Sequence, residues 1–267
     1  MAKSKTDPRL IQYSVENNIA IIQINDPPAN TYSYAMMLQL DEAILQARMD
    51  SNAHVILLRG AGEKFFCAGA DIKMLTEATP EFKYYFCLHA NETLNRLEQT
   101  PKLVIAALNG HCVGGGLEVA LAADIRIARR GAGKIGLPEV NLGVLPGTGG
   151  TQRLARLVGK SKAIELMISG RTLDFDQAVS FGLVNEVWAY ENFFEKVLEY
   201  AANFTAPNSA IKAIGHIKRA VQSGLEMGFH EGLALERELQ QELFTSSDAK
   251  EGLSAFTGKR KAVFQGK

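Results

Sequence analysis

The chain has 267 residues, with 29 basic and 29 acidic side chains and a formal net charge of zero. A hydrophobic share of 46% is enough for a substantial core, so the composition excludes a mainly disordered protein. The balanced charge argues against a general binder of nucleic acids or anionic membranes, because such proteins usually carry a basic excess.

Targeting and redox signals are also informative. No apolar run approaches the roughly 18 residues of a membrane span. The first ten residues, MAKSKTDPRL, lack the apolar segment of a secretory signal. The three cysteines form no C-x-x-C pair, so a disulfide framework is not expected. We therefore expect a cytoplasmic location.

The first two thirds of the chain alternate strands with helices. The patterns predict strands at 11–15 and 19–24, a helix at 36–48, a strand at 55–58, a helix at 79–98, a strand at 103–108, a helix at 117–123 and a strand at 125–128. Helices at 151–158, 161–168 and 174–181 and a strand at 183–187 follow.

From residue 191 the pattern is helical only. Pro207 fits the first position of a helix that Gly224 ends, and helices are predicted at 229–244 and 248–256. Asp248 and Glu251 stand at the spacing of a capping box. This order predicts an α/β layer with a helical tail, whose apolar faces favour packing against a partner surface.

Two patterns typical of nucleotide sites fail. Residues 131–136 read GAGKIG, but a Leu-Pro pair follows at once where a helix should open, and no acid stands about 20 residues on. Residues 159–161 resemble the end of a phosphate loop, but Leu154 occupies the position of its required glycine. Neither pattern predicts a nucleotide site.

Two other clusters of small residues follow buried strands. Residues 114–116 are three glycines, and residues 65–71 read FFCAGAD. Small residues that lead into a helix leave backbone N–H groups free, and two such segments are what a split oxyanion hole requires. The alternative is that both are tight strand-to-helix turns. Asp71 is predicted to cap the helix that follows it.

Two carboxylates stand in apolar surroundings. Glu118 lies in GLEVALAA and Glu139 in LPEVNL. Desolvation raises the pKa of a carboxyl group, which suits a general acid and base. The alternative is that each forms a buried salt bridge, with Arg126 or Arg153 as partners. The histidine and cysteine spacings predict no metal site.

Four stretches together resemble the enoyl-CoA hydratase (crotonase) family. They are FFCAGADIKML (65–75), IAALNGHCVGGGLEVALAADIRIA (105–128), GLPEVNLGVLPGTGGTQRLARLVGK (136–160) and GLSAFTGKRKAVF (252–264). The resemblance implies an α/β fold, a crotonase-like spiral of β-β-α turns (residues 1–195) with a C-terminal helical trimerisation region (196–267). It also implies a homotrimer or a dimer of trimers.

The resemblance implies an acyl-CoA thioester substrate, with coenzyme A as part of the substrate and no resident cofactor. The backbone N–H groups of Ala70 and Gly115 then form the oxyanion hole. The resemblance assigns Glu118 mainly to the orientation and deprotonation of the water, and Glu139 mainly to the protonation of C2. Isomerase members generally keep only the later acid, so the presence of both favours hydration of a 2-enoyl-CoA to a 3-hydroxyacyl-CoA.

The same resemblance places the coenzyme A. The backbone of Ala68 and of residues Ala70, Asp71, Ile72 and Lys73 is expected to line its path. Phe256 and Lys259 are expected to reach the coenzyme A of a neighbouring subunit, with Lys259 at the 3′-phosphate. The alternative for Lys259 is a solvated helix end.

One stretch departs from the family pattern. The usual N-x-P-x-x-x-N-A-L reads NDPPANTYS at 25–33, with the second asparagine one residue early and no Ala-Leu. This leaves the acyl preference open. The alternatives are an enoyl-CoA isomerase, a branched-chain (methylglutaconyl-type) hydratase, and a non-catalytic CoA- or RNA-binding scaffold. Nucleic acid is the less expected ligand because of the neutral charge.

Overall fold

The computed structural model describes residues 9–267. Its strands are β1 Ile11–Glu16, β2 Ile19–Ile24, β3 Val55–Gly60, β4 Phe65–Cys67, β5 Leu103–Leu108, β6 His111–Val113, β7 Ile125–Arg129, β8 Lys134–Gly136, β9 Leu173–Asp174 and β10 Glu186–Trp188. Its helices are α1 Tyr34–Met49, α2 Ile72–Glu77, α3 Pro80–Glu98, α4 Gly115–Leu121, α5 Gly150–Val158, α6 Lys160–Ser169, α7 Phe175–Ser180, α8 Phe193–Ala202, α9 Ile211–Gly224, α10 Phe229–Phe244 and α11 Ser247–Thr257.

The strands form two sheets. The first has the order β1-β2-β3-β5-β7-β10, and all its pairs are parallel except the β1–β2 hairpin. The second has the order β4-β6-β8-β9. Each pair β3-β4, β5-β6 and β7-β8 contributes one strand to each sheet before the chain enters a helical segment. This is the expected spiral of β-β-α turns, and it is confirmed.

The inner strands β2, β3 and β5 of the first sheet are covered on both faces, which explains their nearly continuous apolar runs. One face packs in the main core with buried side chains of α1, α3 and α4. The other face contacts α8 through Phe193, Val197 and Ala201. The expected division at residue 195 falls inside α8, so the two-region boundary stays a prediction.

The longer predicted elements are confirmed within a few residues, and three local predictions are wrong. The last strand is 186–188 instead of 183–187, because the N–H groups of Leu183 and Val184 bond to the carbonyl of Ala178 at the end of α7. Pro207 does not open a helix, since α9 begins at Ile211 and the Pro207 carbonyl accepts from Phe264 N–H.

The third wrong prediction is the capping box of Asp248. The hydroxyl of Ser246 caps α11 by accepting from the Ala249 N–H at 3.0 Å. Asp248 is buried and accepts from the N–H groups of Gln265 and Gly266 at 2.7 and 2.8 Å. It therefore fixes the C-terminal segment against the helix.

Candidate active site

Ala70 lies between β4 and α2, beside the loop that holds Tyr32. The Tyr32 N–H donates to the Gly69 carbonyl at 2.9 Å, and the Asp71 N–H donates to the Tyr32 carbonyl at 3.0 Å. In such a parallel bridge the residue between the two bonded peptide groups points its own N–H away from the pairing segment. Within residues 9–267 the Ala70 N–H has no acceptor.

Gly115 is the first residue of α4, where helix geometry leaves N–H groups without intrahelical partners. Its N–H also has no acceptor in the part of the chain that the structure describes. Gly69 lies directly beside it, because a Cβ on Gly69 would stand 3.1 Å from the Gly115 nitrogen. The fold therefore brings the two clusters of small residues together and leaves one free N–H in each.

Glu118 projects from α4 and is 2% exposed. Its Oε1 accepts from the N–H groups of Thr148 and Gly150 at 2.8 and 2.7 Å. Its Oε2 accepts from the Thr148 hydroxyl. Three donors match an ionised carboxylate, which is a pure acceptor.

Neither Arg126 nor Arg153 forms the alternative salt bridge with Glu118. Arg126 is buried and donates to backbone carbonyls, including that of Leu183 at 2.9 Å. Arg153 pairs with Glu98 at 2.8 Å. Both arginines therefore serve other partners.

Glu139 opens a short 3-10 turn, Glu139–Leu142, after β8. Its Oε1 approaches the triple glycine, 3.0 Å from the point where a Cβ of Gly114 would stand. Its Oε2 is buried and has no hydrogen-bond partner among residues 9–267. Burial raises the pKa of Glu139 to about 7, and the negative charge of Glu118 contributes, while a bond to its own backbone N–H and the charge of Lys83 act in the opposite direction.

The two carboxyl groups thus differ in environment. Glu118 is saturated with donors, whereas Glu139 keeps a proton up to near-neutral pH. Pairs of carboxyl groups whose surroundings separate their protonation are typical of acid–base catalysis. Glu139 approaches the glycine segment that carries a free N–H, and Glu118 lies on the helix that this segment opens.

An open groove of about 400 Å³ runs next to Ala70. Its lining comes from α2, its N-cap and the start of α3: Asp71, Lys73, Met74, Glu77, Ala78, Thr79 and Phe82. Asp71 caps α2 as expected, since its side chain accepts from the Lys73 N–H at 2.8 Å. Ile72 is exposed, and the Ala68 N–H is used by the Ala29 carbonyl at 3.1 Å.

The other proposed ligand residues lie at the far end of the chain. Phe256, in the last turn of α11, is 84% exposed, and Lys259 follows that helix with an exposed side chain. Within residues 9–267 no cluster of three or more His, Cys, Asp or Glu side chains is arranged to hold a metal ion. None of the helices in that range is long and apolar enough to cross a bilayer.

Comparison with known proteins decides the family. A family model described as enoyl-CoA hydratase/isomerase matches residues 14–267. The chain belongs to this family of enzymes. The short-chain-enoyl-CoA hydratase of Clostridium acetobutylicum is 38% identical over 92% of this chain and 94% of its own. The crotonyl-CoA hydratase of Syntrophomonas wolfei is 34% identical over 93% and 95%.

Solved structures agree with this assignment. An enoyl-CoA hydratase structure from Geobacillus kaustophilus HTA426 matches with a TM-score of 0.93 and 45% identity, covering 98% of each chain. One from Bacillus anthracis matches with a TM-score of 0.91 and 35% identity, covering 97% of this chain and all of the other. The fold is therefore the crotonase fold of the enoyl-CoA hydratase/isomerase family.

Sequence reasoning missed three residues of this family member's site: Tyr32, Thr148 and Gly150. Thr148 and Gly150 lie 30 and 32 positions beyond the Glu118 they contact, so no local pattern links them. Tyr32 belongs to the stretch that departs from the family pattern. That departure from the family pattern was the available signal for Tyr32.

The early asparagine of the same stretch has a structural role. Asn30 is buried, and its side-chain amide donates to the carbonyls of Ala61 and Phe65 at 2.9 Å each. Its oxygen accepts from the Asp26 N–H at 3.2 Å. The loop is thereby anchored to β4, which places Tyr32 next to Ala70.

Proposed function

We propose that the chain is a 2-enoyl-CoA hydratase that adds water across the 2,3 double bond to give a 3-hydroxyacyl-CoA. The observation that carries the proposal is the joint presence of Glu118 and Glu139 beside two unpartnered N–H groups. The N–H groups of Ala70 and Gly115 would receive the thioester oxygen. In an isomerase, one acid alone would suffice to move a proton between two carbons of the substrate. Hydration requires both a base that deprotonates water and an acid that protonates C2.

The steps follow from the charge states. Glu118, as the ionised carboxylate, takes a proton from water while the water oxygen forms its bond to C3. The π electrons move toward the thioester oxygen, whose developing charge the two N–H groups stabilise. Glu139 then gives its proton to C2 and the thioester carbonyl re-forms. Exchange with solvent returns a proton to Glu139 and removes one from Glu118.

The expected energies are large enough to matter. One oxyanion donor typically contributes about 3–4 kcal/mol of barrier lowering. Each acid–base group typically contributes about 10²–10⁴-fold in rate. These effects depend on the correct placement of the catalytic groups. The free N–H groups and the hydrogen-bonded Glu118 are in place before substrate binds.

Substrate placement is part of the proposal. Asp71 and Lys73 border the groove. The backbone of Ala68 and of residues 70–73 would line the coenzyme A path, so coenzyme A is substrate and no resident cofactor is proposed. Phe256 and Lys259 are exposed in the single chain and fit a role toward a neighbouring subunit of a homotrimer or dimer of trimers. Relatives named for short-chain and crotonyl substrates make crotonyl-CoA the first substrate to try.

The test is the absorbance of the conjugated enoyl thioester. We expect crotonyl-CoA to lose this band on addition of the protein, with 3-hydroxybutyryl-CoA as product. Straight and branched 2-enoyl-CoA substrates then define the acyl preference, and a 3-enoyl-CoA tests isomerisation. Conversion of the 3-enoyl-CoA with no hydration of any 2-enoyl-CoA would overturn the proposal in favour of an isomerase.

A further inference from the structure

Tyr32 contacts both residues of the proposed oxyanion hole, Ala70 and Gly115, and the Thr148 hydroxyl that bonds to Glu118. Its backbone brackets Ala70 through the bonds to Gly69 and Asp71. Its ring covers Gly115, because a Cβ there would stand only 1.9 Å from the ring carbon Cε1. Its hydroxyl lies 3.1 Å from the Thr148 hydroxyl, which bonds to Glu118. The side chain is 3% exposed, so it is fixed inside the protein.

Proton counting sets the direction of this hydroxyl chain. The Thr148 hydroxyl has one hydrogen, and an ionised Glu118 can only accept, so the hydrogen points to Glu118. Tyr32 must then donate to Thr148. If Glu118 were protonated at Oε2, it would donate to the Thr148 hydroxyl, which would then donate to Tyr32. The Tyr32 hydroxyl hydrogen would have no acceptor among residues 9–267. The chain therefore favours Glu118 as the acceptor that a water-activating base requires.

We propose that Tyr32 is a positioning residue for hydration, which holds Glu118 in place and in its accepting state through Thr148 while its ring seats the Gly115 peptide. The proposal deepens the hydratase assignment and rests on it. Tyr32 touches neither the acyl chain nor the reacting atoms in this account. Its hydroxyl acts only through Thr148, and its ring only through Gly115.

Tyr32→Phe separates the two actions, because it removes the hydroxyl and keeps the ring. We expect kcat for crotonyl-CoA to fall about fivefold, as the loss of one neutral hydrogen bond implies, with KM nearly unchanged. The matched control is Tyr13→Phe in β1, at the edge of the first sheet, which should change neither value.

Tyr32→Phe combined with Thr148→Val tests the route. If the Tyr32 hydroxyl acts through Thr148, its removal should have no further effect on kcat of a Thr148→Val enzyme. Effects that multiply independently would overturn the proposed route. An unchanged kcat in Tyr32→Phe, or a change mainly in KM, would overturn the positioning role itself.

An infrared difference spectrum makes the result independent of hydration. Wild type minus Tyr32→Phe should contain the shifted carboxylate stretch of one residue, and the shift should vanish when both proteins also carry Glu118→Gln. If the wild-type protein shows this signal but hydrates no enoyl-CoA, the hydratase assignment is refuted. The hydrogen bonds from Tyr32 through Thr148 to Glu118 are then still supported. Absence of the signal in an active hydratase would refute the chain alone.

Discussion

The backbone N–H of Gly150 donates a 2.7 Å hydrogen bond to Oε1 of Glu118. A Cβ on Gly150 would stand 3.0 Å from the same oxygen and 2.8 Å from Cβ of Pro146, so this approach depends on glycine. The bond joins the first turn of α5 to α4, and a carboxylate at a helix N-terminus is electrostatically favoured. Glu118 is thus held by groups that exist before any substrate binds.

Hydration should depend on the protonation of Glu139. Its pKa is raised from 4.5 to about 7, so below pH 7 it keeps the proton that C2 requires and above pH 7 it loses it. We expect kcat/KM for hydration of crotonyl-CoA to fall toward tenfold per pH unit on the alkaline side of about pH 7. A profile that stays flat to pH 9 would show that Glu139 is not the acid.

Gly115→Ala should damage the oxyanion hole directly. The added methyl group would overlap the Tyr32 ring at 1.9 Å, so the Gly115 peptide and the ring must separate. We expect kcat to fall roughly 10²–10³-fold, as for loss of an oxyanion donor, and the free energy of unfolding to fall by about 1–3 kcal/mol. Steady-state kinetics and urea unfolding measure both.

The matched control is Gly224→Ala. Gly224 ends α9, and a Cβ there meets no atom within 4 Å. Its activity should equal that of the wild type. If Gly115→Ala also retained full activity, Gly115 would not supply an essential N–H group.

The attachment of α9 should depend on a buried ion pair. Lys218 of α9 lies 2.8 Å from Asp124, with side chains 6% and 16% exposed. Lys218→Met leaves Asp124 buried without its cation, which typically costs about 3–5 kcal/mol of unfolding free energy. Lys212→Met, also in α9, breaks the exposed pair with Glu242 of α10 and should cost about 1 kcal/mol or less. Equal losses in urea unfolding would contradict the distinction.

Lys259→Ala should raise KM for crotonyl-CoA with little change in kcat, because a contact to the remote phosphate stabilises ground and transition states equally. The effect should disappear with the 3′-dephospho form of the substrate. Lys261→Ala is the control, since that lysine lies 3.4 Å from the side-chain oxygen of Asn208. An unchanged KM in Lys259→Ala would favour the alternative that Lys259 is only part of a solvated helix end.

Some of the site could be predicted from the sequence because its parts are local. The glycine triplet and the AGAD turn each follow a continuous apolar strand, Glu118 lies in an apolar helix, and Glu139 is flanked by apolar residues. Hydrophobic periodicity finds such segments. The second sheet was not predicted, because all four of its strands have three residues or fewer and offer no period to read.

The remaining contacts join distant positions. Leu183 and Val184 read as a strand because they are apolar, yet their burial comes from closing the end of α7. Tyr32 and Thr148 stand 116 positions apart, and only the folded chain places their hydroxyls in contact. A single sequence records that each residue is present but not which distant partner satisfies it.

The most direct test of the account is kcat of Glu118→Gln with crotonyl-CoA. The amide keeps the shape of the side chain but cannot accept the proton of water. We expect hydration to fall by about 10²-fold or more while the affinity for coenzyme A esters changes little. Near-normal hydration by Glu118→Gln would contradict the claim that two glutamates beside the Ala70 and Gly115 N–H groups add water to the enoyl thioester.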